Sequence, residues 1–398
     1  MKEIKYWVWL SMIFGVESRT MWKLMKEFES ASEAYYQLSS GSADIKLSEK
    51  YRKNIKNCSV EQAESLIEQC GKSGINIICY SSPEYPDRLR HIIDPPAVLY
   101  YKGDITCICG DRIISCVGTR KASTYTISVV SEICRELAGY GFTIVSGFAV
   151  GVDIASHLAA VSVKRPTACV LGCGVDVNYP SGNFQYRDSI IENGGVFISE
   201  YPPGTPAYSH NFPKRNRILS AIGRATVVFE AAIKSGSMVT ASIADEQNRE
   251  IFCMPPADIT DKRYSGNIKL LRNIAKPFYS CEEIVDFFNL ESCRDTDFIK
   301  QEISCDKPVV CSSPAKKKKA VPEKTRPMET IINHDIETDN SLTPVQCEIV
   351  RLLTNCAVHI DVIAYKLNMD IMELMAELTE LELLDIIEAL PGKLFKKR

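Results

Sequence analysis

One hexapeptide, Phe212-Pro213-Lys214-Arg215-Asn216-Arg217, combines the residue types that bind an anion. Pro213 suits the first turn of a helix, because the N–H group that proline lacks would have no partner there. Lys214 and Arg217 are three residues apart and should share one helical face, with Arg215 to one side. A helix N-terminus is already partly positive. Three cations at that end therefore predict an anion between them, and a phosphate suits free N–H groups and basic side chains.

Phe212 directly precedes the proline, a position that favours an extended backbone. Its ring could then offer a face to a nucleobase. The alternative is a solvated basic helix start beside a core phenylalanine, and the hexapeptide alone leaves both interpretations open.

The elements around the hexapeptide predict an α/β fold with an open parallel sheet, because short apolar strands alternate with helical segments. Most of the predicted main-sheet strands end in a Gly, Ser or acidic turn. Right-handed crossovers bring all such turns to one edge of the sheet. Glycines there let a ligand approach the backbone, and successive N–H groups attract anions. Arg120 follows one strand-end glycine, and we expect it to contact phosphate; an ordinary ion pair is the alternative.

Composition limits the classes of protein that remain. The chain has 398 residues, 45% of them apolar, and a net charge of -3, which predicts a soluble globular protein of two or three domains. A nucleic-acid partner would have to bind a local basic patch. No run of eighteen apolar residues occurs, so no membrane span is expected.

The cysteines and histidines indicate a reduced compartment and no metal. The sixteen cysteines form no Cys-x-x-Cys pair, and four of them lie inside apolar strands: Cys79, Cys116, Cys169 and Cys253. We therefore expect buried, reduced thiols in a cytoplasmic protein. His157 and His210 lack partners at ligand spacing, so no zinc site is expected. A phosphate-loop signature is absent, so ATP turnover is not expected either.

Four regions are predicted along the chain. Residues 1–70 have helical spacing, 71–290 contain the parallel sheet, 291–342 are predicted to be a flexible lysine-containing linker, and 343–398 form a winged helix. A turn in the first region resembles a helix-hairpin-helix loop, but Glu17 stands where glycine is wanted and would repel phosphate. We expect this region to be structural or to bind a partner.

The third helix of the predicted winged helix is acidic. It carries no Lys or Arg but five carboxylates: Asp370, Glu373, Glu377, Glu380 and Glu382. A helix that reads a DNA groove needs the opposite charge. We therefore expect the winged helix to bind a protein or to tune an assembly.

With these motifs assembled, the chain resembles the DprA/Smf family of bacterial DNA-processing proteins over nearly its whole length. The resemblance rests on motifs in the same order: Tyr85 to Leu89, Pro95 to Tyr100, Val117 to Arg120 with Ser123, Ser146-Gly147, Gly151 to Asp153 with His157, Leu171 to Gly174 with Tyr179-Pro180, Ser199-Glu200, Phe212 to Arg217, Glu230-Ala231, Ser235 to Ser237, Thr240-Ala241 and Gly266-Asn267. Thr126, Pro256 and Ile274 depart from it, each standing where the family often has glycine.

The resemblance implies an α/β fold with an extended Rossmann-like, doubly wound parallel sheet. It also implies a binding protein and not an enzyme. Such proteins bind single-stranded DNA, usually as dimers, and load the RecA recombinase onto incoming DNA during natural transformation. No catalytic residue, metal or cofactor is expected. The strand-end pattern and the resemblance together predict these DNA-binding residues: Gly118, Arg120, Ser146, Gly147, Gly172, Gly174, Phe212, Lys214, Arg215, Asn216, Arg217, Ser235 and Gly236.

Two other functions use the same pocket. Related Rossmann-like folds include nucleoside-monophosphate phosphoribohydrolases, and Glu200 or Glu230 could serve as acid or base. The Pro-Gly-Gly-x-Gly-Thr turn of those enzymes is missing here. A small-nucleotide sensor is the third possibility. A strip of basic residues with an aromatic ring favours a polymer over a single nucleotide.

Overall fold

The structure, a computed structural model, describes residues 3–41, 46–288, 343–353, 358–367, 369, 371–384, 386–390 and 394–397. The chain divides into two compact units, Met1–Ser313 and Pro314–Arg398. The predicted linker, residues 291–342, and Asp370 lie outside the described residues. Within the described ranges, every helix is too short or too polar to span a lipid bilayer.

The first unit begins with helices, as predicted. They are α1 Ile4–Phe14, α2 Arg19–Leu24, α3 Ala31–Ser40, α4 Glu49–Asn57 and α5 Val60–Lys72, with a 3-10 turn at Met25–Glu27. Serine hydroxyls cap three of them: Ser18 accepts from the Met21 N–H, Ser30 from Glu33 and Ser59 from Gln62. Such caps satisfy first-turn donors that have no partner inside the helix.

A nine-stranded sheet follows, in the order β1-β2-β6-β5-β4-β3-β7-β8-β9. Its strands are β1 Asn76–Cys79, β2 Val98–Gly103, β3 Ile113–Val117, β4 Thr143–Ser146, β5 Thr167–Leu171, β6 Val196–Ser199, β7 Ala225–Val228, β8 Glu250–Cys253 and β9 Lys276–Pro277. Strands β3 to β9 pair in parallel, and β2 joins β6 and β1 antiparallel. The predicted doubly wound sheet is confirmed.

Helices on both faces connect these strands. They are α6 Asp87–Arg90, α7 Thr124–Gly139, α8 Val152–Ser162, α9 Arg187–Glu192, α10 Asn211–Ile222, α11 Gly236–Glu246, α12 Ser265–Asn273 and α13 Cys281–Phe287, with 3-10 turns at Ile105–Ile108, Ser181–Tyr186 and Lys262–Tyr264. Central strands such as β3, β4 and β5 are buried along their whole length. This is why they read as continuous apolar runs.

The N-terminal helices and the sheet share one hydrophobic cluster. Trp9 and Leu10 of α1 belong to the same buried group as Cys169 of β5 and Phe197 of β6. Trp7 Nε1 also donates to Ser81 Oγ at 2.9 Å. The helices are thus fixed on the sheet by burial and by directed hydrogen bonds.

The four cysteines predicted to lie in apolar strands are all buried and free: Cys79, Cys116, Cys169 and Cys253. Burial raises the pKa of the Cys253 thiol to about 12. The thiol is therefore protonated and unreactive at neutral pH.

The second unit is a winged helix, again as predicted. Its described elements are α14 Pro344–Leu352, β10 Val358–His359, α15 Ile360–Leu367, α16 Ile371–Leu383, β11 Ile387–Leu390 and β12 Leu394–Lys397. The strands form a sheet in the order β10-β12-β11. In α16, Glu380 and Glu382 are exposed, which agrees with the acidic face expected from the sequence.

One buried side chain, Asn267 of α12, joins the ends of β7 and β8. Its Oδ1 accepts from the Ala231 N–H at 2.8 Å. Its Nδ2 donates to the carbonyls of Phe229 and of Met254. These three bonds satisfy backbone groups that water cannot reach.

We expect Asn267→Ala to lower the free energy of unfolding by about 2–4 kcal/mol, because it leaves three buried polar groups unpaired. Chemical denaturation of the full chain measures this. Asn273→Ala is the matched control, since the exposed Asn273 makes a single bond to the Lys269 carbonyl. Equal stability of the two variants would contradict the assigned role.

Candidate functional site

Strand ends meet at one edge of the sheet, which the parallel pairing of β3 to β8 requires. Close packing requires glycine at two of these strand ends. A Cβ on Gly118 would lie 2.4 Å from Val152, and a Cβ on Gly172 would lie 2.9 Å from the Phe212 ring. Any side chain at these positions would displace a neighbouring helix. The glycines thus bring α8 and α10 close to the strand ends.

The basic helix start lies on this edge, but its backbone differs from the prediction. Helix α10 begins at Asn211, so Phe212 is helical and the predicted extended conformation is wrong. Pro213 does stand in the first turn, as expected. In the first turn, the missing N–H of proline costs no hydrogen bond within the helix. The helix thus overrides the preference of the residue before proline for an extended backbone.

Arg215 turns inward from α10. It is 5% exposed, and its Nη1 donates to the Gly147 carbonyl at 3.1 Å. Beside it, Asp153 Oδ2 accepts from the Gly147 N–H at 3.1 Å. Burial lowers the pKa of the Arg215 guanidinium, and the nearby Asp153 carboxylate opposes that change. Arg215 therefore fixes the strand-end loop at Gly147 from within the protein.

Arg217 is also buried, and two carboxylates hold it. Its Nη2 lies 2.8 Å from each Glu200 oxygen, and its Nε lies 3.4 Å from Asp94. Burial lowers the pKa of Arg217, but the two carboxylates more than offset this and the net change is upward. The expected trio of cations around one anion is therefore corrected: two of the three point into the protein.

Lys214 remains half-exposed and lies 3.4 Å from Glu17, the residue of the N-terminal loop predicted to repel phosphate. Glu17 adopts a positive φ of 56°. Its carboxylate would compete with any phosphate for the Lys214 ammonium.

An exposed cation, Arg120, lies at this edge beside two aromatic rings, the half-buried Phe212 and the exposed Tyr179. The Arg120 guanidinium is 5.7 Å from the centre of the Phe212 ring, within range of a cation–π contact. Tyr179, 36% exposed, lies 5.4 Å from the same ring. None of the described carboxylates pairs with Arg120. The ordinary ion pair that was the alternative to a phosphate contact is thus not found among the described residues.

The other predicted site residues occupy three kinds of position. Ser146 is buried, and its hydroxyl donates to the Cys116 carbonyl at 2.7 Å, so the hydroxyl joins the end of β4 to β3. Asn216 is half-buried and accepts from Arg215 Nε at 3.3 Å. Gly174 supports the loop after β6, where its N–H donates to the Thr205 carbonyl at 2.9 Å.

Ser235 and Gly236 lie after β7, at the start of α11, and α11 packs against α10. Ser235 caps α11 by accepting from the Met238 N–H, and Gly236 is exposed with open space beside it. They lie at the same edge of the sheet as the other strand-end turns.

Glu230, at the end of β7, is buried within a hydroxyl network. One carboxylate oxygen accepts from Thr126 Oγ1 at 2.6 Å and from Ser123 Oγ at 2.9 Å. Thr126, which departs from the family pattern, thus secures the start of α7. Among the described residues, no group of three or more His, Cys, Asp or Glu side chains is arranged to hold a metal ion.

Comparison with known proteins agrees with this architecture. The family model for DNA recombination-mediator protein A matches residues 76–289, and the DprA winged helix domain matches residues 337–393. The chain belongs to the DprA/Smf family. Members of the family are recombination mediators.

Individual DprA/Smf relatives match over much of their length. DNA processing protein DprA of Bacillus subtilis is 40% identical over 215 residues, which is 54% of this chain and 72% of the relative. Protein Smf of Synechocystis is 32% identical over 291 residues, 71% of this chain and 72% of the relative. The X-ray structure of DprA from Streptococcus pneumoniae superposes with a TM-score of 0.62 at 26% identity, covering 71% of this chain and 97% of that one.

His157, part of the DprA/Smf resemblance, is a core residue. It is fully buried on α8, and its Nδ1 lies 2.7 Å from Thr167 Oγ1. Thr167 Oγ1 itself donates to the Ile144 carbonyl, so it accepts the Nδ1 proton. Burial, with the nearby Arg215 charge, lowers the pKa of His157 to about 3.

We expect the stability of the protein to fall as the pH drops from about 6.5 towards 3. The unfolded imidazole takes up a proton in this window and the folded one does not, at a cost of up to about 1.4 kcal/mol per pH unit. Chemical denaturation at several pH values in this range measures the free energy of unfolding. Its dependence on pH should be less steep for His157→Gln than for the wild type. His91→Gln, at an exposed histidine, is the control and should keep the wild-type slope. Identical slopes for wild type and His157→Gln would contradict the assignment.

Proposed function

We propose that this protein binds single-stranded DNA at the carboxyl edge of its sheet and loads the RecA recombinase onto that strand during natural transformation. One observation carries the DNA-binding part: the Arg120 guanidinium and the Phe212 ring lie together, at 5.7 Å, on a glycine-lined edge. A cation beside an aromatic ring matches the phosphate and base of one nucleotide.

A single strand suits this surface better than a duplex. In a duplex, the faces of the bases are stacked on one another, so a protein ring can reach a base only when the strand is open. The net charge of -3 argues against broad electrostatic attraction. The local exposed cations, Arg120 and its neighbour Lys121, supply the attraction instead.

The buried arginines have a different role in this proposal. Arg215 and Arg217 are engaged with Gly147, Glu200 and Asp94, so they position the edge and do not contact phosphate themselves. Lys214 reaches phosphate only when it leaves Glu17. Arg120 is therefore the residue whose loss should affect binding without disturbing the core.

Recombinase loading and dimer formation rest on membership of a family of recombination mediators. The acidic face of α16, with Glu380 and Glu382 exposed, is suited to a protein partner and poorly suited to DNA. We therefore assign strand binding to the sheet edge and protein contacts to the winged helix. The role requires no metal or cofactor.

A nucleotide-cleaving enzyme is less well supported. Both candidate carboxylates are occupied, Glu200 by Arg217 and Glu230 by Ser123 and Thr126. A general acid or base must instead reach the substrate proton. A nucleotide sensor would bind a mononucleotide tightly, and competition by thymidine monophosphate distinguishes it from a protein that needs a polymer.

We expect Arg120→Ala to weaken binding of a labelled oligothymidine by about 5- to 20-fold, because one phosphate contact and its cation–π partner are lost. The slope of log K against log salt should also become shallower by about 0.7, the value for one phosphate on a single strand. Fluorescence anisotropy across a salt titration measures both.

Lys72→Ala is the matched control. Lys72 is exposed, pairs with Glu68 on α5 and precedes β1, so it lies far from the carboxyl edge. The substitution therefore removes one positive charge without changing that edge. Equal effects of the two substitutions would mean that only net charge matters. Absence of binding by the wild type would reject the proposal.

A further inference from the structure

A second aromatic surface lies just ahead of α10, and the proposed function does not use it. The rings of Tyr208 and His210 are stacked, with centres 5.5 Å apart and planes only 8° apart. Both residues are exposed, Tyr208 to 51%. A parallel pair of rings open to water is not accounted for by core packing.

The loop that carries these rings is braced by hydrogen bonds. The Gly204 N–H donates to both Asp176 oxygens, at 2.9 and 3.0 Å. The Thr205 carbonyl accepts from the Gly174 N–H, and Thr205 Oγ1 donates to the Pro202 carbonyl at 2.6 Å. The rings therefore stand on a fixed support, and a ligand that stacks on them need not order the loop.

The pair is also close to the proposed nucleotide site. The Asn211 N–H donates to the Tyr208 carbonyl at 3.0 Å, a turn that keeps the two Cα atoms within about 7 Å. Phe212 follows Asn211 directly and lies beside Arg120 and Tyr179. Two aromatic surfaces thus flank the first turn of α10.

The geometry points to Tyr208 and His210 as a second base-stacking platform, for another nucleobase of the strand held at Arg120 and Phe212. This inference rests on the proposed function and names a subsite within it. Every base has a π-face, so the platform accepts any of the four bases. Because the contact is a stack, it adds affinity without adding a phosphate contact.

We expect Tyr208→Leu in the full chain to weaken oligothymidine binding by about 5- to 150-fold, the range for loss of one base stack. The salt slope should stay at the wild-type value, because no cation is removed. Tyr208→Phe keeps the ring and should bind like the wild type. Tyr279→Leu is the control: Tyr279 is 76% exposed and follows β9, six strands and roughly 30 Å from β6.

A scan with oligothymidines that carry one abasic site tests the subsite directly. The wild type should lose affinity when the missing base is the one that stacks on Tyr208, and Tyr208→Leu should be insensitive at that position alone. Wild-type affinity of Tyr208→Leu, or an unchanged abasic profile in that variant, would overturn the platform and leave the proposed function intact. A wild type that binds no single strand would overturn both.

Discussion

The site depends on two arginines that α10 turns into the protein. Arg217 joins the helix to Glu200 at the end of β6, and Arg215 joins it to the carbonyl after β4. Buried charges are costly unless they are paired, and removing one partner of such a pair typically costs about 3–5 kcal/mol. The arginines therefore fix the helix start to the ends of β4 and β6. That position seats Phe212 over Gly172 and leaves Arg120 beside the ring and open to solvent.

The N-terminal helices complete this arrangement. Their loop contributes Glu17, whose carboxylate lies 3.4 Å from Lys214 and whose backbone N–H stabilises the Glu200 carboxylate. Trp22 Nε1 also donates to the Pro95 carbonyl, close to Asp94. The region that the sequence predicts to be structural or to bind a partner is therefore part of the electrostatic environment of the edge. A carboxylate in that position reduces the attraction of phosphate to Lys214, and Arg120 becomes the principal cation.

Sequence predicts what is local and misses what depends on distant partners. Apolar runs ending in Gly118, Gly147 and Gly172 predict both the strands and their common edge. The inward turn of Arg217 was not predicted, because Asp94 and Glu200 are 123 and 17 residues away and only the fold joins them. Strand β9 has two residues and no alternation to detect. The Tyr208 and His210 pair did have a signal: two aromatic residues two positions apart, just before a basic helix start.

The most direct test of the proposed function is to identify the residues that a bound strand contacts. Photocross-linking of an oligonucleotide that carries 5-iodouracil, followed by peptide mass spectrometry, identifies the aromatic residues that contact bases. We expect adducts at Phe212, with others at Tyr179 or Tyr208, and their loss when unlabelled oligothymidine competes. Adducts confined to residues 343–398 would contradict it, because they would place the strand on the winged helix and not on the edge of the sheet.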